Sequence, residues 1–296
     1  MTNPFAPASK AKLKARIALC GPTGSGKTWT ALEWAAVLAD GGPIALIDTE
    51  HGSASLYADH CKFDTMPWAP PYNPTALAET VAQVPAWGYS VLIVDSLSHF
   101  WMGEGGTIDV ADNAASRFGG NSFAGWKVAT PALRHLVDSM LAVDCHVIVT
   151  MRTKTEWIIE EDSRGKKAPR KIGLAPVMRD GIEYEFTLIG DMDLEHRVTV
   201  SKSRCSLLAD KVIQPGRAAE AAATFAGWLS DGSGDAATPV EMIPVAEAKN
   251  RLISLLGSTE LAAEAWGDRG STPISEAELE AIVESHVPPS KTEADQ

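Results

Sequence analysis

The chain has 296 residues, 45% of them hydrophobic, which suits one large α/β domain with a small appendage and excludes a fibrous or wholly disordered protein. The formal net charge is −12, but the acid is segregated: residues 213–296 carry 5 Lys/Arg against 14 Asp/Glu, whereas residues 151–212 carry 12 against 11, so an acidic pI does not exclude a nucleic-acid-binding face in the middle of the chain. No apolar run reaches 18 residues and no apolar leader follows Met1, so neither a membrane-spanning helix nor a secretory signal is expected, and the reading is cytoplasmic.

In chain order, residues 1–14 are a polar lead. Arg16 to Cys20 (RIALC) reads as a buried strand and residues 28–39 as a helix. Apolar strand runs recur at 43–47, 91–94 and 146–150, separated by helical patterns near 75–84 and 124–142. Strands alternating with helices predict right-handed crossovers and a mainly parallel central sheet. Runs at 182–190 and 196–202, parted by the turn signal GDMDLE, predict an antiparallel hairpin at the sheet edge. Residues 231–243 are a Gly/Ser/Asp/Pro-rich linker, and 244–286 a small helical module with helices over 244–256 and 274–285, the second opened by a Ser275/Glu278 capping box. Residues 287–296 form a polar tail, leaving 15–230 as the core. The cysteines (Cys20, Cys61, Cys145, Cys205) make no C-x-x-C pair, so no zinc site or disulfide framework is expected.

Between the first strand and helix stands Gly21-Pro22-Thr23-Gly24-Ser25-Gly26-Lys27-Thr28, which fits the phosphate-binding pattern G-x-x-x-x-G-K-[ST]. Its glycines let backbone N–H groups curl around phosphates at a helix N-terminus. Lys27 would neutralise the outer phosphates of ATP and the Thr28 hydroxyl would ligate Mg²⁺. Asp95 closes the strand VLIV and is the expected partner of Mg²⁺ through water. Ser96 follows it, so a water-activating carboxylate cannot stand directly after Asp95. Glu50, two residues past the strand ending at Asp48, is the candidate general base, because that strand opens onto the same crevice in a parallel sheet.

These residues resemble the RecA superfamily over about residues 14–215, and among its members the shortened phage RecA-like ATPases of single-strand annealing or recombination. IALIDTEHGSASLYAD (44–59) resembles the segment that carries the catalytic glutamate, here Glu50, and an adenine-stacking aromatic, here Tyr57; Ala54 replaces an aspartate that contacts adenine. VLIVDSLSHF (91–100) resembles the family's metal-binding strand. RVTVSKSRC (197–205) resembles its last strand segment, which implies that Lys202 and Arg204 reach a neighbour's ATP. The family's γ-phosphate-sensing Gln is missing; Thr150 or Arg152 stands for it. The resemblance implies a RecA-like ATPase core that self-associates into a filament or ring, with Phe5-Ala6-Pro7-Ala8 as a self-association segment. Alternatives on the same core are a hexameric helicase or packaging motor, or an ATP-dependent adaptor for single-strand-binding or replication proteins.

Five cations in SRGKKAPRK, namely Arg164, Lys166, Lys167, Arg170 and Lys171, sit where the resemblance places a DNA-binding loop, and Trp157 nearby offers a stacking group. A solvated hairpin tip balanced by Glu160, Glu161 and Asp162 is the other reading. The glycine-rich segment 99–125 occupies the place of a first DNA loop, its aromatics serving either for stacking or for packing on the core. The partner expected is single-stranded DNA.

Overall fold

The computed structural model describes residues 5, 10, 13–161, 167–230, 243, 245–267, 279, 282–283 and 285–286. The chain divides into two compact units, Lys10–Ser233 and Met1–Ser9 with Gly234–Gln296. In the larger unit the elements run β1 (Arg16–Gly21), α1 (Lys27–Leu38), β2 (Ile44–Asp48), β3 (Asp64–Pro67), α2 (Pro74–Gln83) and β4 (Val91–Asp95). Then come α3 (Ser98–Met102), α4 (Thr107–Arg117), α5 (Ser122–Ala142), β5 (His146–Glu161) and β6 (Lys167–Pro176). β7 (Leu188–Met192), β8 (Val198–Ser203), β9 (Val212–Ile213) and α6 (Ala218–Ser230) complete it.

The strands form one sheet in the order β3-β2-β4-β5-β1-β7-β8-β9, with β6 paired off this path to β5. Pairings from β3 through to β7 are parallel; β7–β8 and β8–β9 are antiparallel. Strand alternation splits the core in two. Ile17 and Leu19 of β1 face one side, with Leu32 and Trp34 of α1 and Phe225 of α6. Ala18 and Cys20 face the other, with Leu77 of α2 and Leu136 of α5. A sheet buried on both faces is why its central strands read as continuous apolar runs.

Three expectations are corrected. The 182–190 run is not one strand: residues Ile182–Glu185 make a 3₁₀ turn and β7 begins at Leu188. The expected antiparallel hairpin is present on the edge side of the sheet, β7 with β8, with β7 also pairing parallel with β1 and β9 added outside β8. The glycine-rich 99–125 segment is helical, holding α3, α4 and the start of α5. α4 buries the small residues Ala111, Ala114 and Ala115, and Gly125 of α5 packs so closely that an added Cβ would strike the Ala111 carbonyl. That close approach replaces the large apolar residues by which a helix is usually recognised. Thirdly, β5 does not stop at Thr150. It continues past the sheet and pairs antiparallel with β6 from Thr153↔Pro176 to Glu161↔Lys167, forming a two-stranded arm. Residues 162–166, with Arg164 and Lys166, lie outside the described residues.

In the smaller unit, α7 (Val245–Leu256) and α8 (Thr259–Trp266) pack through Ala248, Leu252, Ala262 and Ala265, joined by Leu279 and Ile282. Ser258 caps α8 by accepting from Glu260 N–H at 3.2 Å. Residues 231–242 of the linker, the Ser275/Glu278 capping box, the tail and Ala6-Pro7-Ala8 lie outside the described residues.

Candidate nucleotide-binding and hydrolytic site

The site is built at the carboxyl ends of β1, β2 and β4, beside the point where β5 leaves the sheet for the arm. Gly21 ends β1 and the loop 21–26 leads into α1, whose N-cap Gly26 is left-handed (φ 87°), as is Gly24 (φ 83°). Only glycine holds such a turn without strain, and the turn aims N–H groups outward. Ser25 Oγ is buried there with no hydrogen-bond partner, a polar atom left for a ligand. Lys27 Nζ folds back onto the carbonyls of Gly21 (3.0 Å) and Pro22 (2.8 Å). Burial lowers its pKa, against the pull of Asp95 and Glu50, which favour the charged form.

Thr28 Oγ1 donates to Asp95 Oδ2 at 2.6 Å, so the two expected metal ligands are already in contact. Thr150 Oγ1 donates to the other oxygen, Oδ1. Burial raises the Asp95 carboxyl above the usual range, partly offset by those two hydroxyls, and a cation would relieve a carboxylate so placed. Among the described residues no three His, Cys, Asp or Glu gather to hold a metal. One hydroxyl and one carboxylate suit Mg²⁺, which keeps waters and takes phosphate oxygens. The residues present therefore fit ATP·Mg²⁺.

The loops after β2 and β4 are stitched together. Thr49 N–H donates to the Asp95 carbonyl (2.8 Å), the Thr49 hydroxyl accepts from Ser96 N–H (2.7 Å), and His99 Nδ1 lies 2.6 Å from that hydroxyl. His99 also stacks on Tyr72 at 5.0 Å. Asp48 Oδ1 accepts from Glu50 N–H at 2.6 Å, which sets the turn that presents Glu50. The Glu50 carboxylate meets Arg152 of β5: Nη2 lies 2.8 and 2.6 Å from its two oxygens and Nε 3.2 Å from Oε1. Burial alone would raise the Glu50 carboxyl, but the hydrogen bonds and charge of Arg152 hold it below the ordinary range. Of the two residues expected to sense a terminal phosphate, Thr150 donates its hydroxyl to Asp95 and Arg152 is engaged with Glu50.

On the other side of the phosphate loop is a cavity of about 390 Å³ lined by Gly26, Trp29, Glu33, Tyr57, His196 and Gln214, among others. Tyr57 meets Trp29 edge-on at 5.6 Å, and Trp29 stacks on His60 at 3.7 Å. Ala54 is fully buried in the core and does not line this cavity, whose polar residues include Thr30, Glu33, His196 and Gln214. Sequence reasoning missed His196: it is left-handed (φ 63°) in the β7–β8 turn and its Nδ1 comes within 3.2 Å of where a Cβ on Gly26 would sit. The turn signal GDMDLE was the one available hint.

Lys202 and Arg204 are not brought to this site. Lys202 stands opposite Ile189, itself beside Ala18 of β1, and Arg204 N–H donates to Thr187, whose N–H donates to Arg16 at the start of β1. Arg204 is therefore about five residues back from Gly21, roughly 16 Å along the strand direction. Lys202 Nζ donates to the carbonyls of Glu183 (2.9 Å) and Tyr184 (2.6 Å), while Arg204 is exposed. Lys167, Arg170 and Lys171 lie along β6 of the arm, at register positions opposite Glu161, Ile158 and Trp157.

A parallel sheet with a phosphate loop after β1, and a carboxylate touching the loop's Thr at the end of β4, defines a P-loop nucleotide hydrolase. Residues 13–217 match the AAA domain family, and the chain belongs to it, a P-loop ATPase of the AAA type. No curated protein matches the chain. Among the described residues no helix is long and apolar enough to cross a membrane.

Proposed function

We propose that this chain hydrolyses ATP in the manner of RecA-like ATPases, acts on single-stranded DNA in strand annealing or recombination of the phage type, and shares its ATP sites between subunits. The observation that carries the reading is the convergence of Lys27, the Thr28–Asp95 pair and Glu50 on one end of the sheet, with a carboxylate two residues past β2 and a serine directly after Asp95. Bound Mg²⁺ would neutralise charge on the outer phosphates. Gly21 to Gly26 hold those phosphates, Lys27 leaves its carbonyl partners for them, and Thr28 and Asp95 hold the cation. Glu50 takes the proton of the attacking water as its oxygen bonds to phosphorus and the bond to the diphosphate breaks. Tyr57, with Trp29 beside it, offers a ring for the base, and Glu33 and Gln214 offer hydrogen bonds to its edge.

Two placements support the wider reading. Lys202 and Arg204 stand too far along the sheet to serve the chain's own phosphate loop, as expected of cations supplied to a neighbour. The arm of β5 and β6 begins one residue past Arg152, at Thr153 of β5, and Lys167, Arg170 and Lys171 stand on its returning strand β6. Arg164 and Lys166 belong to the same proposed DNA contact. The test is phosphate release with and without single-stranded DNA, together with electron microscopy in an ATP analogue. Stimulation by DNA and a filament support this reading, a ring favours the helicase or motor alternative, and hydrolysis indifferent to DNA by a monomer refutes it.

A further inference from the structure

The Glu50–Arg152 pair is at odds with the task given to Glu50. A carboxylate whose two oxygens both accept from a guanidinium has a low proton affinity, which makes it a poor base for a water. The pair is nonetheless accessible: the Arg152 and Glu50 side chains are 42% and 27% exposed, so neither is sealed in place. Arg152's backbone, by contrast, is fixed. Its N–H donates to Ser98 Oγ at 2.9 Å and its carbonyl accepts from Val177 N–H at 2.7 Å, so only the side chain has freedom to change partner.

We propose that Arg152 is a two-position positioning residue, holding Glu50 inactive until a nucleoside triphosphate is bound and then moving its guanidinium to the terminal phosphate, which frees Glu50 for the attacking water. The proposal rests on the nucleotide-hydrolysis reading of this site. A planar guanidinium matches carboxylate and phosphoryl oxygens alike, so one set of hydrogen bonds can be exchanged for another. A diphosphate has no terminal group at that position and does not compete. The ion pair therefore subtracts from triphosphate affinity alone, as an equilibrium that must be shifted before binding is complete.

Titration calorimetry of the full chain tests this with ADP and with a non-hydrolysable ATP analogue, each with Mg²⁺. Glu50→Gln is expected to bind the analogue about fivefold or more tightly than the unmodified chain, within the usual range of coupling between sites, with ADP affinity unchanged. Arg152→Gln is expected to weaken the analogue only, and the double variant to lose the gain of Glu50→Gln. If Glu50→Gln leaves the analogue's affinity unchanged while ADP still binds, the proposal is overturned and the nucleotide site stands. If the unmodified chain binds neither nucleotide, both fall. Crystal structures of the unmodified chain remove any dependence on folding of variants: Arg152 on Glu50 with ADP and off it with the analogue is expected, and the pair intact in both overturns the proposal.

Discussion

The two ends of the central sheet both carry cations, and the cations are used differently. At the amino end, the buried Arg16 guanidinium donates to the carbonyls of Ala15, Leu141, Cys145 and Val143, and so satisfies the frayed end of α5. His146 is half-buried beside it and its Nδ1 accepts from Ala15 N–H at 3.0 Å. At the carboxyl end, Lys27 rests on two carbonyls of its own loop, and Arg152 is half-exposed on a carboxylate. Polar groups at the first end are bound to permanent backbone partners; those at the second hold partners that a phosphate can displace. One end is built for stability and the other keeps charge in reserve for a ligand.

Lys202 and Arg204 sharpen this contrast, because they sit on the antiparallel side of the sheet, toward the amino end of β1, yet are exposed or only partly buried. If they complete a neighbour's site, Lys202→Ala should cut ATP turnover about 10³-fold or more, the scale of cations acting in trans. Mixing it with Glu50→Ala should restore part of the activity, since each variant supplies what the other lacks at one class of interface. Activity in the mixture no higher than the sum of the two alone would place these cations with Arg16, as structural groups.

The smallest effect belongs to the amino end. Burial, then the charges of Lys14 and Arg16, lower His146 from 6.5 to about 4. The folded chain thus binds this proton less readily than the unfolded one. His146 contributes its full stability above pH 6.5, and that contribution is lost as pH falls toward about 4. Urea unfolding at pH 7 and pH 4.5 should show a loss of stability on acidification that is smaller in His146→Asn, whose amide oxygen still accepts from Ala15. An unchanged loss in the variant would break the assignment.

What could be read from sequence follows from how local each signal is. The phosphate loop is eight consecutive residues, and Asp95 closes an apolar run, so both stand out without a fold. Glu50 required the inference that β2 lies beside β4, which the register Asp48↔Asp95 bears out. The Glu50–Arg152 pair joins residues 102 apart through side chains, and no pattern along the chain announces it. His196 reaches Gly26 through a hairpin turn whose left-handed residue is not a glycine. α4 was hidden by its own packing, because alanines that allow close helix contact carry little hydrophobic signal. The outer half of β5 was legible in part: the basic stretch 163–171 reads as a hairpin tip, but nothing along the chain shows that the hairpin's first strand is a continuation of the sheet strand that starts at His146.

Glu50, proposed as the base, can be removed from a site whose phosphate and metal contacts come from Lys27, Thr28 and Asp95. Single-turnover hydrolysis of ATP with Mg²⁺, in unmodified chain and in Glu50→Gln at saturating protein, measures this. The predicted result is full nucleotide binding by both and a fall in the hydrolysis rate of ~10²–10⁴-fold in the variant, the range for loss of a general base. Hydrolysis by Glu50→Gln at the rate of the unmodified chain would contradict the account.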